Sequence, residues 1–388
     1  MSSPSSRNAA RGQTPSSHTP ITEDAPPHEG ASRIGSPGRD PLAGRLPITV
    51  VTGFLGSGKT TLIGRLLAQA GMNRAAVIVN EFGEVGIDHD LIAASSENVT
   101  LLSNGCLCCV VRTDLQETLR TLFAERRAGE VIDFDRVLLE TSGLADPAPV
   151  IQTLATDTLL ASHYRLDGVV TLVDAVNGPG QLDREAEAVK QAALADRLLI
   201  TKTDLADAGA VRERLHALNP RAEVADVVQG EIDPTFLTGI GLASAHAGAA
   251  QIGRWLGAGS GEGAYLGAPA PRHDRGITTF TLWFDRPFAW QTFAASMELL
   301  TSLRGPDLLR VKGLLNVEGE AGPVVVQGVQ HVFHPPVTLA AWPSDDRGSR
   351  LVFITRGIDE QAVRALFAAV GMLGAGPVGE AAGRQAGR

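Results

Sequence analysis

Gly53-Phe54-Leu55-Gly56-Ser57-Gly58-Lys59-Thr60 fits the pattern G-x-x-x-x-G-K-(S/T), and its flanks decide what it means. The apolar run PITVV (47–51) precedes it, and the helical stretch TLIGRLLAQA (61–70) follows. Strand, glycine-rich loop and helix in that order make a phosphate cradle. The glycines let the backbone wrap with its N–H groups pointing inward, and the anion sits at a helix N-terminus. Lys59 is expected to reach the β- and γ-phosphates and the Thr60 hydroxyl to coordinate Mg²⁺. Gly53, Gly56, Ser57, Gly58 and Thr61 complete the expected nucleotide-binding loop. A chance match in a glycine-rich chain is the alternative, and the strand and helix context argues against it.

Further along, short β-rich runs alternate with helical stretches: AAVIVN (75–80), VTLLS (99–103), RVLLE (136–140), GVVTLVD (168–174) and RLLIT (197–201). Nearly continuous apolar strands separated by helices imply a parallel sheet covered on both faces. The expected fold is therefore α/β: a P-loop NTPase domain with a mainly parallel sheet, over 46–235. A Gly/Ala-rich linker is expected over 236–275. Then come GITTFTLWF (276–284), a helix near 288–303, LRVKGLLNV (309–317), PVVVQGVQHVF (323–333), RLVFITRG (350–357) and a final helix over 359–371. That order predicts a smaller α+β C-terminal domain over 276–372. Residues 1–45, rich in Ser, Pro, Gly and Arg, and 373–388 read as disordered tails.

Thr201-Lys202-Thr203-Asp204 follows the strand RLLIT, at the carboxyl edge where ligands bind in open α/β sheets. Asp204 can accept hydrogen bonds from guanine N1–H and the exocyclic amine, which adenine does not offer, and the stem of Lys202 can cover the base. GTP is the expected nucleotide, with GDP as product. The usual base motif has Asn where Thr201 stands. Glu140-Thr141-Ser142-Gly143 ends another apolar strand, so that Glu140 would hold Mg²⁺ and the Gly143 N–H would touch the γ-phosphate. Asn80-Glu81-Phe82-Gly83-Glu84-Val85-Gly86-Ile87-Asp88 suits a loop that orders around Mg²⁺ and phosphate. Lys59, Glu140, Glu81 and Asp88 are the candidate catalytic set; the plainer reading of the last two is a solvated surface loop.

All three cysteines lie within four positions, Cys106, Cys108 and Cys109, preceded by Asn104-Gly105. In an extended strand Cys109 would face away from the other two, so convergence requires a turn, which Asn-Gly supplies. Three thiolates at this spacing suit a soft or borderline cation such as Zn²⁺ or Cu(I), and leave a fourth position for water, a protein carboxylate or imidazole, or an acceptor's ligand. Inert core cysteines and a redox pair are the competing readings. His89 is a candidate fourth ligand. His331 and His334 end a predicted strand and point to opposite faces, which suits packing or surface roles.

The 388-residue chain is 44% apolar and 20% charged, with a formal net charge of -9. That length suggests two domains, and the charge argues against a nucleic-acid partner. No apolar stretch is long enough to span a bilayer, and no charged segment leads into an apolar run as in a secretory signal, so the expected compartment is the cytoplasm.

The set GFLGSGKTTL, NEFGEVGID, GCLCC, ETSGLADP, LVDA and TKTD resembles the CobW family of SIMIBI-class GTPases, which includes the zinc-chaperone branch called Zng. The resemblance extends from about 47 to 370, and LRVKGLLNV, VQGVQHVFHPP and SRLVFITRG look like the family's C-terminal domain. It implies slow, metal-stimulated GTP hydrolysis coupled to insertion of a metal into a client apo-metalloprotein. The family's metal motif falls on Cys106, Cys108 and Cys109, its P-loop on 53–61 and its switch glutamate on Glu140. Thr201 in place of Asn also occurs in the family. The long histidine-rich stretch of some relatives is absent here. Cobalt or iron insertion, metal sensing without delivery and a P-loop small-molecule kinase are the alternatives; no arginine-bearing lid of the kind a kinase needs is readable. Whether the chain forms a homo-oligomer is left open.

Overall fold

The computed structural model describes residues 44–69, 71–80, 99–101, 107–111, 115–242, 246–256 and 276–374. β1 (Leu46–Gly53) is buried from Ile48 onward, as a strand covered on both faces must be. After the P-loop, α1 (Lys59–Leu67) buries Leu62, Ile63, Leu66 and Leu67, a stripe at helical spacing. There follow β2 (Ala75–Asn80), β3 (Val99–Leu101), β4 (Leu107–Val111), α2 (Leu115–Ala128) and β5 (Arg136–Thr141). Next are α3 (Ala148–Thr156), α4 (Thr158–His163), β6 (Tyr164–Asp174), α5 (Gly178–Arg184) and α6 (Ala186–Leu194). β7 (Arg197–Thr201), α7 (Gly209–Leu218) and β8 (Glu223–Val227) complete this half. The sheet runs β3-β4-β2-β5-β1-β6-β7-β8, parallel throughout except for β3 against β4. The α/β fold is thus as expected, with the P-loop strand in the middle.

The second sheet is antiparallel. After α8 (Ala249–Leu256) come β9 (Ile277–Phe284), α9 (Trp290–Arg304), β10 (Leu308–Leu315) and β11 (Val324–Val329). β12 (Val332–Phe333), β13 (Val337–Thr338), β14 (Ser349–Arg356) and α10 (Glu360–Gly374) follow. Its order is β12-β11-β10-β14-β9, with β13 on β11. One face packs Leu282, Val311 and Phe353 against Phe293 and Met297 of α9 and Phe367 of α10. On the other face, Ile277, Leu309, Val329 and Ile354 join the main core of the parallel half. The two sheets therefore share apolar surface rather than being tethered beads. Among the described residues, no helix is long and apolar enough to cross a membrane.

One expectation needs correction. The stretch read as linker, 236–275, contains α8, whose Ile252, Trp255 and Leu256 are buried against Leu314 and Val325. Gly/Ala-rich composition hid an i, i+3, i+4 stripe. The turn expected at Asn104-Gly105, which the reading of Cys106, Cys108 and Cys109 as converging ligands calls for, lies outside the described residues; the strand that follows it holds Cys108 and Cys109. Their backbone lies in β4, Cys108 opposite Val77 and Thr100, Cys109 opposite Ile78 and Val99. Leu-Cys-Cys-Val-Val is apolar and partly β-branched, and a strand accommodates it. The tails expected over 1–45 and 373–388 lie outside the described residues apart from 44–45 and 373–374, the latter pair closing α10.

A buried ion cluster pins the two sheets together. Asp196, just before β7, accepts two bonds from Arg310 Nη2 at 2.7 Å, one from the Val169 N–H at 2.9 Å, and pairs with Lys312. Burial alone would raise its pKa, but Arg310 and Lys312 outweigh that and hold it below the ordinary carboxylate value. His334, at the end of β12, is pushed down to about 4, chiefly by burial and then by Arg310. In the unfolded chain a histidine protonates near 6.5, so between pH 6.5 and 4 the unfolded state takes up a proton the fold refuses. Stability is therefore expected to fall through that window, by on the order of 2 kcal/mol from this group. Urea midpoints at pH 7 and pH 4.5 check it: His334→Gln should shrink the difference, and an unchanged difference would remove His334 from the account.

Candidate nucleotide site

The P-loop is shaped by three glycines with positive φ: Gly53 (146°), Gly56 (73°) and Gly58 (91°). At Gly53 a Cβ would meet the Leu172 carbonyl oxygen at 2.4 Å and Ser57 Oγ at 2.7 Å, so no other residue fits where β1 turns into the loop. Ser57 N–H bonds back to the Phe54 carbonyl at 3.1 Å, and Gly58 O accepts from Leu62 N–H at 2.9 Å to start α1. Lys59 is largely buried and folds its ammonium over the loop, donating to Gly53 O at 3.0 Å and Phe54 O at 3.4 Å. A cation is thereby held at the centre of a ring of backbone. Ser57 Oγ is buried there without a hydrogen-bond partner among the described residues. Thr61 sits one position further into α1, exposed.

β5 ends beside the loop because it pairs with β1, Val51 opposite Glu140. Thr60 Oγ1 donates to Glu140 Oε1 at 2.8 Å, and Glu140 is buried. Thr141 Oγ1 donates to Thr52 Oγ1 at 2.8 Å, fastening the two strand ends. Gly143 then crosses over the P-loop: a Cβ there would stand 2.9 Å from the Leu55 backbone N and Cα. Gln191 of α6 holds this crossing by donating Nε2 to Gly143 O at 3.2 Å and Ala145 O at 2.9 Å.

On the other side, the end of β7 adjoins the loop. The Thr201 hydroxyl donates to Ser57 O at 2.8 Å, which ties the base segment to the P-loop and gives a role to the residue that departs from the usual Asn. Lys202 has a positive φ of 58° and donates Nζ to Asp174 Oδ2 at 2.6 Å. Asp174, at the end of β6, is fully buried and also accepts from Val176 N–H at 2.7 Å and Asn177 Nδ2 at 2.9 Å. Burial works to raise its pKa, yet the Lys202 and Asn177 bonds hold it lowered, so it remains a carboxylate. Asp204 is exposed on the turn that follows, where Leu205 N–H bonds to Lys202 O at 3.0 Å.

The structure thus gathers Gly53, Gly56, Ser57, Gly58, Lys59, Thr60, Glu140, Gly143 and Lys202 at one sheet edge, with Thr61 and Asp204 at its rim. Glu81, Asp88, His89 and Cys106 lie outside the described residues, as do the side chains of Cys108 and Cys109. Among the described residues no group of three or more His, Cys, Asp and Glu is placed to hold a metal ion. Asp174 and Gln191 were not singled out from sequence. LVDA at the end of an apolar strand was a signal for the first; nothing local marks the second.

Residues 47–226 match the CobW/HypB/UreG nucleotide-binding domain, and 277–371 match the cobalamin synthesis protein cobW C-terminal domain. The zinc chaperone YjiA of Escherichia coli (strain K12) is 36% identical over 324 residues, 83% of this chain and 98% of that protein. The zinc chaperone CobW of Pseudomonas aeruginosa is 31% identical over 383 residues, 89% of this chain and 96% of that one. The crystal structure of Zn(II)-bound YjiA GTPase from E. coli superposes with a TM-score of 0.64 at 33% identity, covering 84% of this chain and 99% of that one. A P-loop wedged between Glu140 and Thr201, two matched domains and full-length relatives agree: the chain belongs to the CobW/HypB/UreG family and is a GTPase.

Proposed function

We propose that this GTPase binds zinc through Cys106, Cys108 and Cys109 and passes it to a client apo-metalloprotein, with the nucleotide state setting zinc affinity. Relatives that it matches over nearly their whole length are named zinc chaperones, which supports the choice of cargo. The observation that carries the coupling is strand register. Val79 of β2 lies opposite Glu140 on one side and opposite Val110, the residue after Cys109, on the other. Two strand spacings, about 10 Å, therefore separate the backbone of the cysteine strand from that of the Glu140 strand. Movement at the phosphate has a short, hydrogen-bonded route to the thiolates.

In this reading the loop N–H groups and Lys59 hold the GTP phosphates, and the Lys202 stem covers the base while Asp204 reads guanine. Thr60 Oγ1 and Glu140 Oε1, 2.8 Å apart, are a hydroxyl and a carboxylate, the oxygen donors a hard cation takes. They would hold Mg²⁺, which when bound neutralises charge on the phosphate oxygens. Gly143, pressed on Leu55 and steadied by Gln191, is the backbone that responds to the γ-phosphate. Glu81 and Asp88 join it as the second responding loop.

Coupling between nucleotide and metal must be reciprocal. Zinc titration of GDP-loaded and GTP-analogue-loaded protein should give affinities differing by about tenfold or more. Equal affinity in both states would sink the coupling, and failure to load an apo-client would reduce the protein to a zinc-binding GTPase.

A further inference from the structure

Gln191 lies on α6, outside the nucleotide loop, yet it is buried and its amide faces two carbonyls. Only the donor end of an amide fits there. Nε2 bridges Gly143 O at 3.2 Å and Ala145 O at 2.9 Å, while Oε1 is buried without a partner among the described residues. The preceding residue, Lys190, pairs with Asp146. Two consecutive residues of α6 therefore grip 143–146, the segment that crosses the P-loop at Leu55.

The other end of α6 is gripped as well. The last four carbonyls of a helix lack intrahelical donors and are costly to bury bare. Here buried side chains take all four. Thr171 Oγ1 of β6 donates to Gln191 O at 2.9 Å, and Asn219 Nδ2, just past α7, donates to Ala192 O at 3.1 Å and Ala193 O at 3.2 Å. Arg310 Nη1 of β10 donates to Leu194 O at 2.7 Å, and the same guanidinium holds Asp196. A cation at a helix C-terminus also suits the macrodipole. Gln191 and Leu194 are three residues apart, about 4.5 Å along a helix axis. One helical turn thus joins a guanidinium of the antiparallel sheet to the carbonyl of Gly143.

We propose that Gln191 is a positioning residue for GTP hydrolysis and that Arg310 acts on the same step through it, which rests on Gly143 being the backbone that meets the γ-phosphate. The antiparallel half then sets the turnover rate at the nucleotide edge. The crossing leaves no slack, because a Cβ at Gly143 would stand 2.9 Å from the Leu55 backbone. Packing this tight passes a displacement on instead of absorbing it. A tilt of α6 would break bonds at one end or the other, and a shift of about 1 Å at a reacting group costs up to about a hundredfold in rate.

The test measures hydrolysis and nucleotide affinity in the full-length protein, well below each variant's melting temperature. Gln191→Met keeps the side-chain length and loses the donor. Its kcat for GTP should fall about tenfold or more, with GDP affinity within about twofold of wild type. A merely structural role would weaken GDP and GTP alike and leave kcat unmoved. Arg310→Lys keeps a cation for Asp196 but lacks the fork that also reaches Leu194 O, so kcat should fall about threefold or more. In the double variant the second substitution should add little, since both act through one helix; multiplying losses would overturn the role of Arg310. Hydrogen exchange gives a readout that does not need the Arg310 variant to fold. Replacing GDP by a GTP analogue should slow amide exchange in 143–146 and alter it in β10 of wild type, and Gln191→Met should lose the β10 response. No change in 143–146 of wild type would remove Gly143 as the γ-phosphate contact, and this proposal with it. A change there beside wild-type kcat in Gln191→Met would leave the Gly143 reading standing and overturn the positioning role.

Discussion

Lys59→Ala should lose at least about a hundredfold in GTP affinity, the loss expected when one partner of a buried, charge-assisted pair is removed. The reasoning starts from where the ammonium is. It is buried, bonded to the Gly53 and Phe54 carbonyls, and held over a loop bent by Gly53, Gly56 and Gly58. A charge so placed is screened little by water and needs no rearrangement of its neighbours to meet a phosphate oxygen. Alanine leaves two loop carbonyls to be rehydrated and the phosphate charge uncompensated. Binding of a fluorescent GTP analogue is the readout, with the melting temperature measured alongside to separate lost binding from a collapsed loop. Affinity within threefold of wild type would mean that backbone N–H groups alone carry the phosphates. Glu140→Gln is the informative contrast. It retains the Thr60 contact but removes the negative charge, so binding should survive better than turnover.

The parts of this molecule that were legible in the sequence are those specified locally. The P-loop reads from eight consecutive residues because its conformation is set by its own glycines. Apolar runs gave the central strands, since a strand buried on both faces leaves nothing polar to confuse it. What escaped was held by distant pairs. Gln191 and Gly143 are 48 residues apart, and Arg310 and Asp196 are 114 apart, so neither leaves a periodic trace. β8, Glu-Val-Ala-Asp-Val, is an edge strand whose charges mask its pattern. β4 was missed for a different reason: its cysteines drew a chemical reading, whereas the backbone treats Leu-Cys-Cys-Val-Val as an ordinary strand. The metal reading was made from composition and family resemblance, and the register of β4 against β2 adds to it a short path to Glu140.

Cys108→Ser should reduce zinc affinity by on the order of a hundredfold or more, because a hydroxyl neither ionises near neutral pH nor offers the soft sulfur that zinc accepts. The substitution is small, and β4 keeps its ladder to β2 and β3, which is made by the backbone. Folding should therefore be undisturbed, and the melting temperature of the zinc-free variant should lie within a few degrees of wild type. GTP binding should also persist, since β2 and β5 stand between the cysteine strand and the P-loop strand. Zinc-stimulated hydrolysis should vanish, while the basal rate without zinc stays. These readouts separate the proposed cargo site from its rivals: inert core cysteines predict a shift in stability without a change in metal, and a redox pair predicts sensitivity to thiol oxidation without one. Metal analysis of purified wild type and variant decides among them, and equal zinc content would remove Cys108 from the site. Because hydrogen-bonded strands connect β4 to Glu140, loss of stimulation without loss of GTP binding would locate the coupling in that sheet rather than in the nucleotide pocket itself.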